Sequence, residues 1–494
     1  MRNFFAMLVF VLFSIGIMFP TLNAQDAQDA QGPDLTVIMK QLDAMEETIK
    51  KQQDMINALQ DKIETQKPVV QTPSAISNEN EIERVVDNYL LKEETREKMV
   101  KSGLTPRYFY WDSGLRFQTG DGKFKFKLGG RIMNDWGWFD EDSDLLRSIG
   151  DQVDSTEFRR ARLYLSGDIY ENIAFKAQYD FASGGRPDFK DVYIQLKKVP
   201  VLGNFRVGHF KEPFSLEELT SSKYITFMER SLNNAFAPAR NTGFMSYNQA
   251  LDKRMTWALG VFRNANGWGD SEGDRSTEGG YSFSTRITGL PWYEDNGRKL
   301  IHTGISYSYQ NAFQNDIRYR STPEMHMADR FVDTGNFDAE HAHIFNPELA
   351  FVYGPLSLQT EYTHTSINLE NSADSYHDFS GFYAYGSYFL TGEHRKYSTK
   401  NGTFGRVKPN NNFIWGKGFG AIELAARYSH LDLSNDAING GRLDDITLGI
   451  NWYLNPNTRV MFNYVHADPD LFDDGGFNRD GEADFAAVRF QVDF

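Results

Sequence analysis

The 494-residue sequence contains no cysteine, so disulfide bonds and cysteine-based metal or catalytic sites are excluded. Long apolar runs are also rare. The longest is residues 4–19, and no stretch reaches the roughly 20 residues that a helix needs to span a bilayer. Basic residues are in the minority, and the resulting net charge of −15 argues against nucleic acid as a partner. Stability must therefore come from a fold that needs neither disulfides nor membrane helices.

The first residues predict a secretory signal peptide. A basic start at Arg2 is followed by the apolar run 4–19 and by the small-residue exit Leu22-Asn23-Ala24. The alternative is a membrane anchor, but the run is shorter than the roughly 20 residues that a spanning helix requires. We predict cleavage after Ala24 and export of the remaining chain.

The last residues alternate strictly between apolar and polar side chains. Phe494, Val492, Phe490 and Val488 share one face of a predicted strand, because side chains alternate along a strand. This segment resembles the terminal strand that the bacterial outer-membrane assembly machinery recognises. Edge strands of soluble sandwiches alternate in the same way, so the pattern needs support from the rest of the chain.

The overall composition provides that support. Mean hydropathy is −0.52, although aromatic residues make up 14% of the chain and Gly occurs 41 times. An exported protein of this kind is typical of a transmembrane barrel, in which only every second residue faces lipid. The alternative is a secreted all-β protein that binds or hydrolyses carbohydrate.

The region before the barrel is predicted to be helical. Residues 25–33 form a polar leader, and residues 34–66 form a coiled coil that would lie in the periplasm. Its core positions follow an unbroken 3,4 spacing and comprise Leu35, Ile38, Leu42, Met45, Ile49, Gln52, Ile56, Leu59 and Ile63. A solitary amphipathic helix is the alternative. Residues 67–104 are interpreted as a linker followed by a second helix.

The period of the apolar residues changes to two from Leu115 onward, which predicts β-strands. Twelve alternating segments are found, namely 123–131, 160–169, 174–181, 191–197, 257–262, 281–288, 301–309, 356–362, 420–428, 446–454, 460–465 and 486–494. Tight turns alternate with long acidic connections, as in outer-membrane barrels. At ~24 residues per strand and connection, residues 115–494 accommodate about 16 antiparallel strands, with 18 as the alternative. The barrel domain is assigned to residues 105–494.

Basic side chains recur on the polar faces of these strands. Lys or Arg at the midplane of a barrel would cost about 2–4 kcal/mol on the lipid face, so they must line the lumen. The predicted pore-lining and anion-binding residues are Lys123, Lys125, Lys127, Arg131, Arg160, Arg162, Lys176, Arg206, Arg286 and Arg427. Columns of Arg and Lys select for anions. A general porin is the alternative, because Glu361, Glu423, Asp180 and Asp191 have the same inward parity.

The segment Gly208–Arg230 is predicted to be a long structured loop that folds into the lumen. Pro213 interrupts any strand, and the apolar grouping Leu216–Leu219 is helical in pattern. Long loops in compact folds are usually functional. Candidates for a constriction are Lys211, Lys223, Arg230 and the nearby Arg240.

Three segments carry a resemblance to a known family. The run Gly208–Arg230 with Asn241-Thr242-Gly243, the run Ser387–Arg395 and the run Gly420–Tyr428 resemble the phosphate-selective porin O/P family. The similarity covers roughly residues 105–494. It implies a sixteen-stranded trimeric barrel that passes phosphate or other anions along an arginine ladder to a basic constriction. The best matches to the basic lining are Arg160, Arg162, Lys127 and Arg131.

The sequence therefore predicts an outer-membrane porin that gives small anions, such as phosphate, passive diffusion through a basic-lined pore. The ten histidines are scattered and no catalytic constellation is found, so we expect no enzyme activity, metal or cofactor. The expected partners are small anions, outer-membrane lipid, two further copies in a homotrimer, and peptidoglycan through the coiled coil. A barrel that only anchors the coiled coil to the cell wall is an alternative function.

Overall fold

The computed structural model describes residues 108–182, 184, 186–269, 280–312, 316–369, 376–435, 437–471 and 481–494. The predicted signal peptide, polar leader, coiled coil and second helix lie outside the described residues.

Strands dominate the described part of the chain. In chain order they are β1 Tyr108–Trp111, β2 Leu115–Gln118, β3 Phe124–Glu141, β4 Ser155–Ile169, β5 Ile173–Asp180, β6 Asp188–Val199, β7 Gly203–Lys211, β8 Arg240–Ala250, β9 Met255–Arg263, β10 Ser282–Glu294, β11 Lys299–Asn311, β12 Asp316–Ile317, β13 Arg320–Ser321, β14 Val332–Asp333, β15 Phe337–Asp338, β16 His341–Tyr353, β17 Leu356–Asn368, β18 Tyr376–Phe389, β19 Tyr397–Ser398, β20 Thr403–Phe404, β21 Ala421–Ser434, β22 Asn439–Asn455, β23 Thr458–Asp470 and β24 Ala483–Asp493. Two short helices, α1 Ser143–Ser148 and α2 Leu216–Leu219, lie in connections. No helix in the described part of the chain is long and apolar enough to cross a bilayer.

Sixteen strands close into an antiparallel barrel. Each of β3–β11, β16–β18 and β21–β24 pairs with its neighbours, and β24 returns to β3 with Asp493 opposite Arg131 and Ala483 opposite Glu141. The predicted strand number of 16 is confirmed. The sheet as a whole has 18 strands, because the hairpin β1–β2 pairs with β3 beyond the point where β24 ends.

Alternation in the sequence predicted twelve of the sixteen barrel strands and missed four. The missed strands are β7, β8, β16 and β18. Strand β18 places Phe, Tyr and Gly on both faces, because its inward side packs against loops and its outward side faces lipid. Where both faces are apolar or small, the period-2 signal disappears.

Alternation along the other strands separates the lipid face from the lumen. On β22 the side chains of Ile446, Leu448 and Ile450 are each nearly half exposed, whereas Asp445 and Asn451 on either side of them and Thr447 between them are fully buried. An all-apolar outer face combined with a polar interior is the arrangement of a membrane barrel.

The two ends of the barrel differ. At the turn end, strands are joined by short turns such as 251–254, 354–355 and 456–457, whereas at the loop end the connections include 142–154, 212–239 and 312–340. Short turns face the periplasm and long loops face outward in outer-membrane barrels. One connection at the turn end breaks this rule, because residues 390–420 between β18 and β21 are as long as an external loop.

The connection 212–239, here called the inner loop, lies inside the barrel as predicted. Glu361 on β17 accepts hydrogen bonds from the backbone N–H groups of Leu216 and Glu217, at 3.0 and 2.8 Å. On the other side of the lumen, Asn451 Nδ2 donates to the carbonyl oxygen of Thr226 at 2.8 Å. The predicted loop boundary was wrong by a few residues, because Gly208–Lys211 still pairs with β8.

The long turn-end connection also enters the lumen, and residues 390–412 of it are called the strap. Arg286 on β10 donates to the carbonyl oxygen of Gly402 at 2.8 Å, and Arg395 donates to Gln359 on β17 at 3.0 Å. Arg406 bonds Asp493 and donates to the hydroxyl of Tyr224 in the inner loop at 3.2 Å. Two connections from opposite ends of the barrel therefore meet inside it.

Candidate functional site: a basic cavity in the lumen

A cavity of about 370 Å³ remains between the inner loop, the strap and strands β3–β10. Among its described lining residues, ten are Lys or Arg and one, Asp191, is acidic. The basic residues are Arg131, Arg160, Arg162, Lys176, Arg206, Lys211, Arg230, Arg240, Arg286 and Lys400. A chain with a net charge of −15 thus concentrates positive charge at one place in its interior.

The strand register explains how like charges come together. Arg131 on β3 and Arg162 on β4 are direct cross-strand partners on the inward face. Like charges directly opposite each other repel and destabilise a sheet. Arg162 is compensated by Asp180 at 2.6 Å, whereas Arg131 forms no ion pair among the described residues and donates to the hydroxyl of Ser222 at 2.6 Å.

Asp191 on β6 connects two cations of the lining. Its carboxylate accepts from Lys176 Nζ at 2.5 Å and from Arg240 Nε at 2.8 Å. One carboxylate between two cations leaves a local excess of positive charge. Lys176 Nζ also lies 5.5 Å from the ring centroid of Tyr164, and Lys127 Nζ lies 5.8 Å from the same ring, so the ring accommodates both ammonium groups.

Glu218 of the inner loop also pairs with two cations of the cavity lining, Lys211 at the end of β7 and Arg230 in the inner loop. Lys211 lies 2.8 Å and Arg230 3.1 Å from its carboxylate. Burial opposes ionisation, but Arg230 and Lys211 outweigh it and lower the pKa of Glu218 to about 2. The pair of cations therefore faces a permanently charged carboxylate, and the inner loop is fixed to the end of β7.

Arg206 on β7 is held by aromatic rings instead of a carboxylate. Its guanidinium carbon lies 4.1 Å from the ring centroid of Tyr193 and 5.0 Å from that of Tyr247. Its Nη2 donates to Gln195 and to the Tyr247 hydroxyl at 3.1 and 3.0 Å, and its Nε has no partner. Arg206 forms no ion pair among the described residues. Within the described part of the chain it is a cation without a directly paired carboxylate.

On the wall away from the cavity, two buried arginines are paired with carboxylates. Arg427 on β21 bonds Glu324. Arg489 lies 2.5 Å from Asp135 and 2.7 Å from Glu229 of the inner loop. These ion pairs fix the inner loop and the connection 312–340 to the barrel wall, and they leave the cavity on the β3–β9 side.

The structure brings together nine of the fourteen predicted residues, with five exceptions. Arg131, Arg160, Arg162, Lys176, Arg206, Arg286, Lys211, Arg230 and Arg240 line the cavity. Lys123 and Lys125 do not, because both are exposed, Lys123 just before β3 and Lys125 on the part of β3 that extends beyond the end of β24. Lys127 does not line the cavity either, and its Nζ lies 5.8 Å from the ring centroid of Tyr164. Arg427 is fully buried against Glu324 and does not reach the cavity. Lys223 instead lies near Asp493 at the turn end, 3.8 Å away.

Sequence reasoning missed the strap and the aromatic partners of Arg206. Lys400, Asn401 and Thr403 of the strap line the cavity, although no pattern in this segment predicted that it enters the lumen. A signal was present in the segment 394–422, which carries six Lys or Arg residues and no acidic residue. In a chain this acidic, that bias could have marked the strap.

Anion preference should fall as pH rises through neutrality. Burial lowers the pKa of Lys223 to about 7, and although Asp493 raises it, Arg131, Arg406 and Lys127 lower it further. Below that pH Lys223 is charged and adds to the field near Arg131, and above it the charge is lost. We expect a lower anion-to-cation permeability ratio at pH 8.5 than at pH 6, measured by reversal potential. The variant Lys223→Met should show no such fall in the permeability ratio. An equal fall in the variant would refute Lys223 as its cause.

The chain is similar in sequence to known proteins. The family model described as phosphate-selective porin O and P matches residues 126–494. Porin O of Pseudomonas aeruginosa is 28% identical over 418 residues, which cover 77% of this chain and 91% of the relative. An uncharacterized protein of Caulobacter vibrioides is 28% identical over 409 residues, covering 80% of this chain and 78% of that protein. Among solved structures, the outer membrane channel DcaP of Acinetobacter baumannii superposes with a TM-score of 0.48 and 12% identity, covering 75% of this chain and 97% of that one. Because the family model spans most of the chain, the protein belongs to the phosphate-selective porin O and P family of outer-membrane porins.

Proposed function

We propose that this porin conducts small anions, phosphate or similar oxyanions, through the basic cavity. One observation carries the proposal: Arg131 and Arg206 line the cavity without a carboxylate partner among the described residues, and Arg131 is only 6% exposed. An uncompensated buried charge is costly, so a site built around two of them is stabilised by an anion that enters it.

The chemistry of the donors favours an oxyanion. A guanidinium is planar and presents several N–H donors, a geometry that matches carboxylate and phosphate oxygens. The Nε atoms of Arg131, Arg160 and Arg206 have no hydrogen-bond partner in the described structure. The family model is described as phosphate-selective, and this supports phosphate as the first solute to test.

General diffusion without selectivity is the competing function. The inward acids that favour it are Glu361 and Glu423, together with Asp180 and Asp191. Glu361 is occupied by backbone N–H groups of the inner loop, and Glu423 accepts from Asn451 at 3.0 Å and Tyr453 at 2.8 Å. Asp180 and Asp191 are bound by cations. Acids engaged in this way do not form an acidic wall facing the basic one, so we favour anion conduction.

Phosphate should inhibit chloride current through the purified porin in a planar bilayer. A bound oxyanion would occupy the cavity for longer than chloride, because it accepts more hydrogen bonds. We expect half-inhibition to require at least tenfold more phosphate for Arg206→Met than for the unmodified porin. Lys123→Met, which removes an exposed cation outside the cavity, should leave the inhibition unchanged. If phosphate inhibits neither the porin nor the control, the oxyanion site is refuted.

We further propose that the porin assembles as a homotrimer, with the coiled coil 34–66 in the periplasm as the trimerising segment. The 3,4 spacing of its core residues supports this, and Gln52 at one core position would fix the register. The same segment could contact peptidoglycan. The test is to delete residues 34–66 and to measure conductance, oligomer mass and binding to peptidoglycan, which separates transport from assembly and wall contact. Loss of the trimer or of wall binding with intact conductance would support the coiled-coil assignment.

A further inference from the structure

The segment Phe413–Phe419, here called the rim hairpin, follows the strap and lies outside the lumen. The backbone N–H of Phe413 donates to the carbonyl oxygen of Leu454 at 2.6 Å, at the turn end of β22. Ile414 and Gly418 then form a tight turn, with Gly416 at its tip in the left-handed region at φ +72°. The chain thus passes from the lumen, over the rim, to the outer wall of the barrel.

The rim hairpin packs on the lipid-facing side of the barrel. Trp452 has the same parity on β22 as the outward Ile446, Leu448 and Ile450. The ring of Phe413 lies 5.1 Å from that of Trp452 in an edge-to-face arrangement, and Trp452 Nε1 donates to the carbonyl oxygen of Phe419 at 2.6 Å. The hairpin is therefore continuous with the membrane-facing surface.

Beyond this contact the hairpin exposes three large apolar side chains. Trp415 is 87% exposed, Phe419 76% and Ile414 55%. Exposed apolar side chains at one spot mark an interaction surface. Trp and other aromatic residues are enriched at membrane–water interfaces, and the same end of the barrel carries the outward stack of Trp292 on Phe351 and Tyr353 at 6.3 and 6.2 Å.

Charge identifies the kind of surface that the hairpin fits. Lys417 at the turn and Lys408 just before the hairpin are exposed, and residues 394–422 contain no Asp or Glu. Basic residues next to a membrane are attracted to anionic headgroups. A basic, acid-free segment with exposed Trp and Phe matches a lipid interface in both its apolar and its charged parts.

We propose that the rim hairpin is a lipid-binding element that inserts Trp415, Ile414 and Phe419 into the periplasmic-side interface of the membrane and binds anionic phospholipid headgroups through Lys417 and Lys408. The strap is then fixed at two places, inside the lumen by Arg406 and at the rim by lipid. This binding surface is separate from the basic cavity and does not depend on the solute that the porin conducts.

Tryptophan fluorescence in vesicles tests the proposal. The full-length porin is reconstituted with phosphatidylcholine that is brominated either near the headgroup or near the chain end, and the emission of Trp415 is obtained as the difference from Trp415→Phe. We expect lipid brominated near the headgroup to quench more than half of this emission. The control is Trp268, which lies in a connection at the loop end. Its emission, obtained as the difference from Trp268→Phe, should not be quenched by the brominated lipid.

A second variant tests the headgroup part. In mixed vesicles, brominated phosphatidylglycerol should quench Trp415 more strongly than brominated phosphatidylcholine at equal content, and Lys417→Gln should reduce this preference roughly fivefold. Phe419→Trp adds a second reporter that should behave like Trp415. Emission that iodide quenches and brominated lipid does not would overturn the proposal, because the hairpin would face water. Protection from both would also overturn it, since a protein surface would then cover the hairpin.

Discussion

Replacing Arg131 with glutamate is expected to abolish anion preference. The substitution changes the charge beside Arg162 and Ser222 by two units, in a cavity whose described lining has a single acidic residue. A unit charge at ~6 Å in an effective dielectric of about 20 contributes about 3 kcal/mol to the energy of an anion. Even after screening by salt, we expect the anion-to-cation permeability ratio to fall at least tenfold. The measurement is the reversal potential in a salt gradient.

The matched control for this variant is Lys125→Glu. Lys125 lies on the same strand and the same face as Arg131 and undergoes the same change in charge, but it is exposed beyond the end of β24. It should leave the permeability ratio within about twofold of the unmodified porin, as expected for a charge screened by solvent. Equal effects of the two substitutions would mean that the field of the whole barrel, and not the cavity, sets selectivity. Heat-modifiable mobility on gels verifies that both variants fold.

Replacing Arg406 with alanine is expected to open the turn end of the lumen. Arg406 joins the strap to Asp493 and to Tyr224 of the inner loop, and Asp493 is only 2% exposed. Removing one partner of a buried ion pair costs about 3–5 kcal/mol. Asp493 would keep only Lys223, at 3.8 Å. The strap, which places Lys400 and Asn401 against the cavity, should then lose its fixed position. We expect about a twofold rise in single-channel conductance with added current noise.

Lys408→Ala serves as the comparison for Arg406→Ala. Lys408 follows Arg406 by two residues, is exposed, and makes no contact in the lumen among the described residues. Its conductance should equal that of the unmodified porin. If Arg406→Ala also conducts normally and with normal noise, the strap does not limit passage through the turn end.

The predictable part of the fold is the part that a two-residue period encodes. Strand β22 could be found from Ile446, Leu448 and Ile450, because lipid on one side and polar contacts on the other impose alternation. The basic lining could be found in the same way, since Arg160 and Arg162 cannot face lipid at the midplane. The inner loop was recognised because Pro213 ends the strand pattern within a segment too long for a turn.

The remainder depends on long-range contacts that local patterns do not contain. Lys125 and Arg131 have the same parity, and only the pairing of Asp493 with Arg131 shows where the barrel begins. Arg427 has the parity of a pore-lining residue, but Glu324, from a connection a hundred residues away, neutralises it. Two of the missed strands, β16 and β18, escaped for a related reason, since loops inside the barrel make their inward faces partly apolar, as Ala342, Ile344 and Phe379 are.

The sign and size of the reversal potential of the unmodified porin test the central claim most directly. Purified protein in a planar bilayer is placed in a potassium chloride gradient at pH 6, where Lys223 is protonated. The basic cavity predicts a strongly anion-selective potential. A potential near zero, or one of the opposite sign, would contradict anion conduction and would make the barrel a general porin.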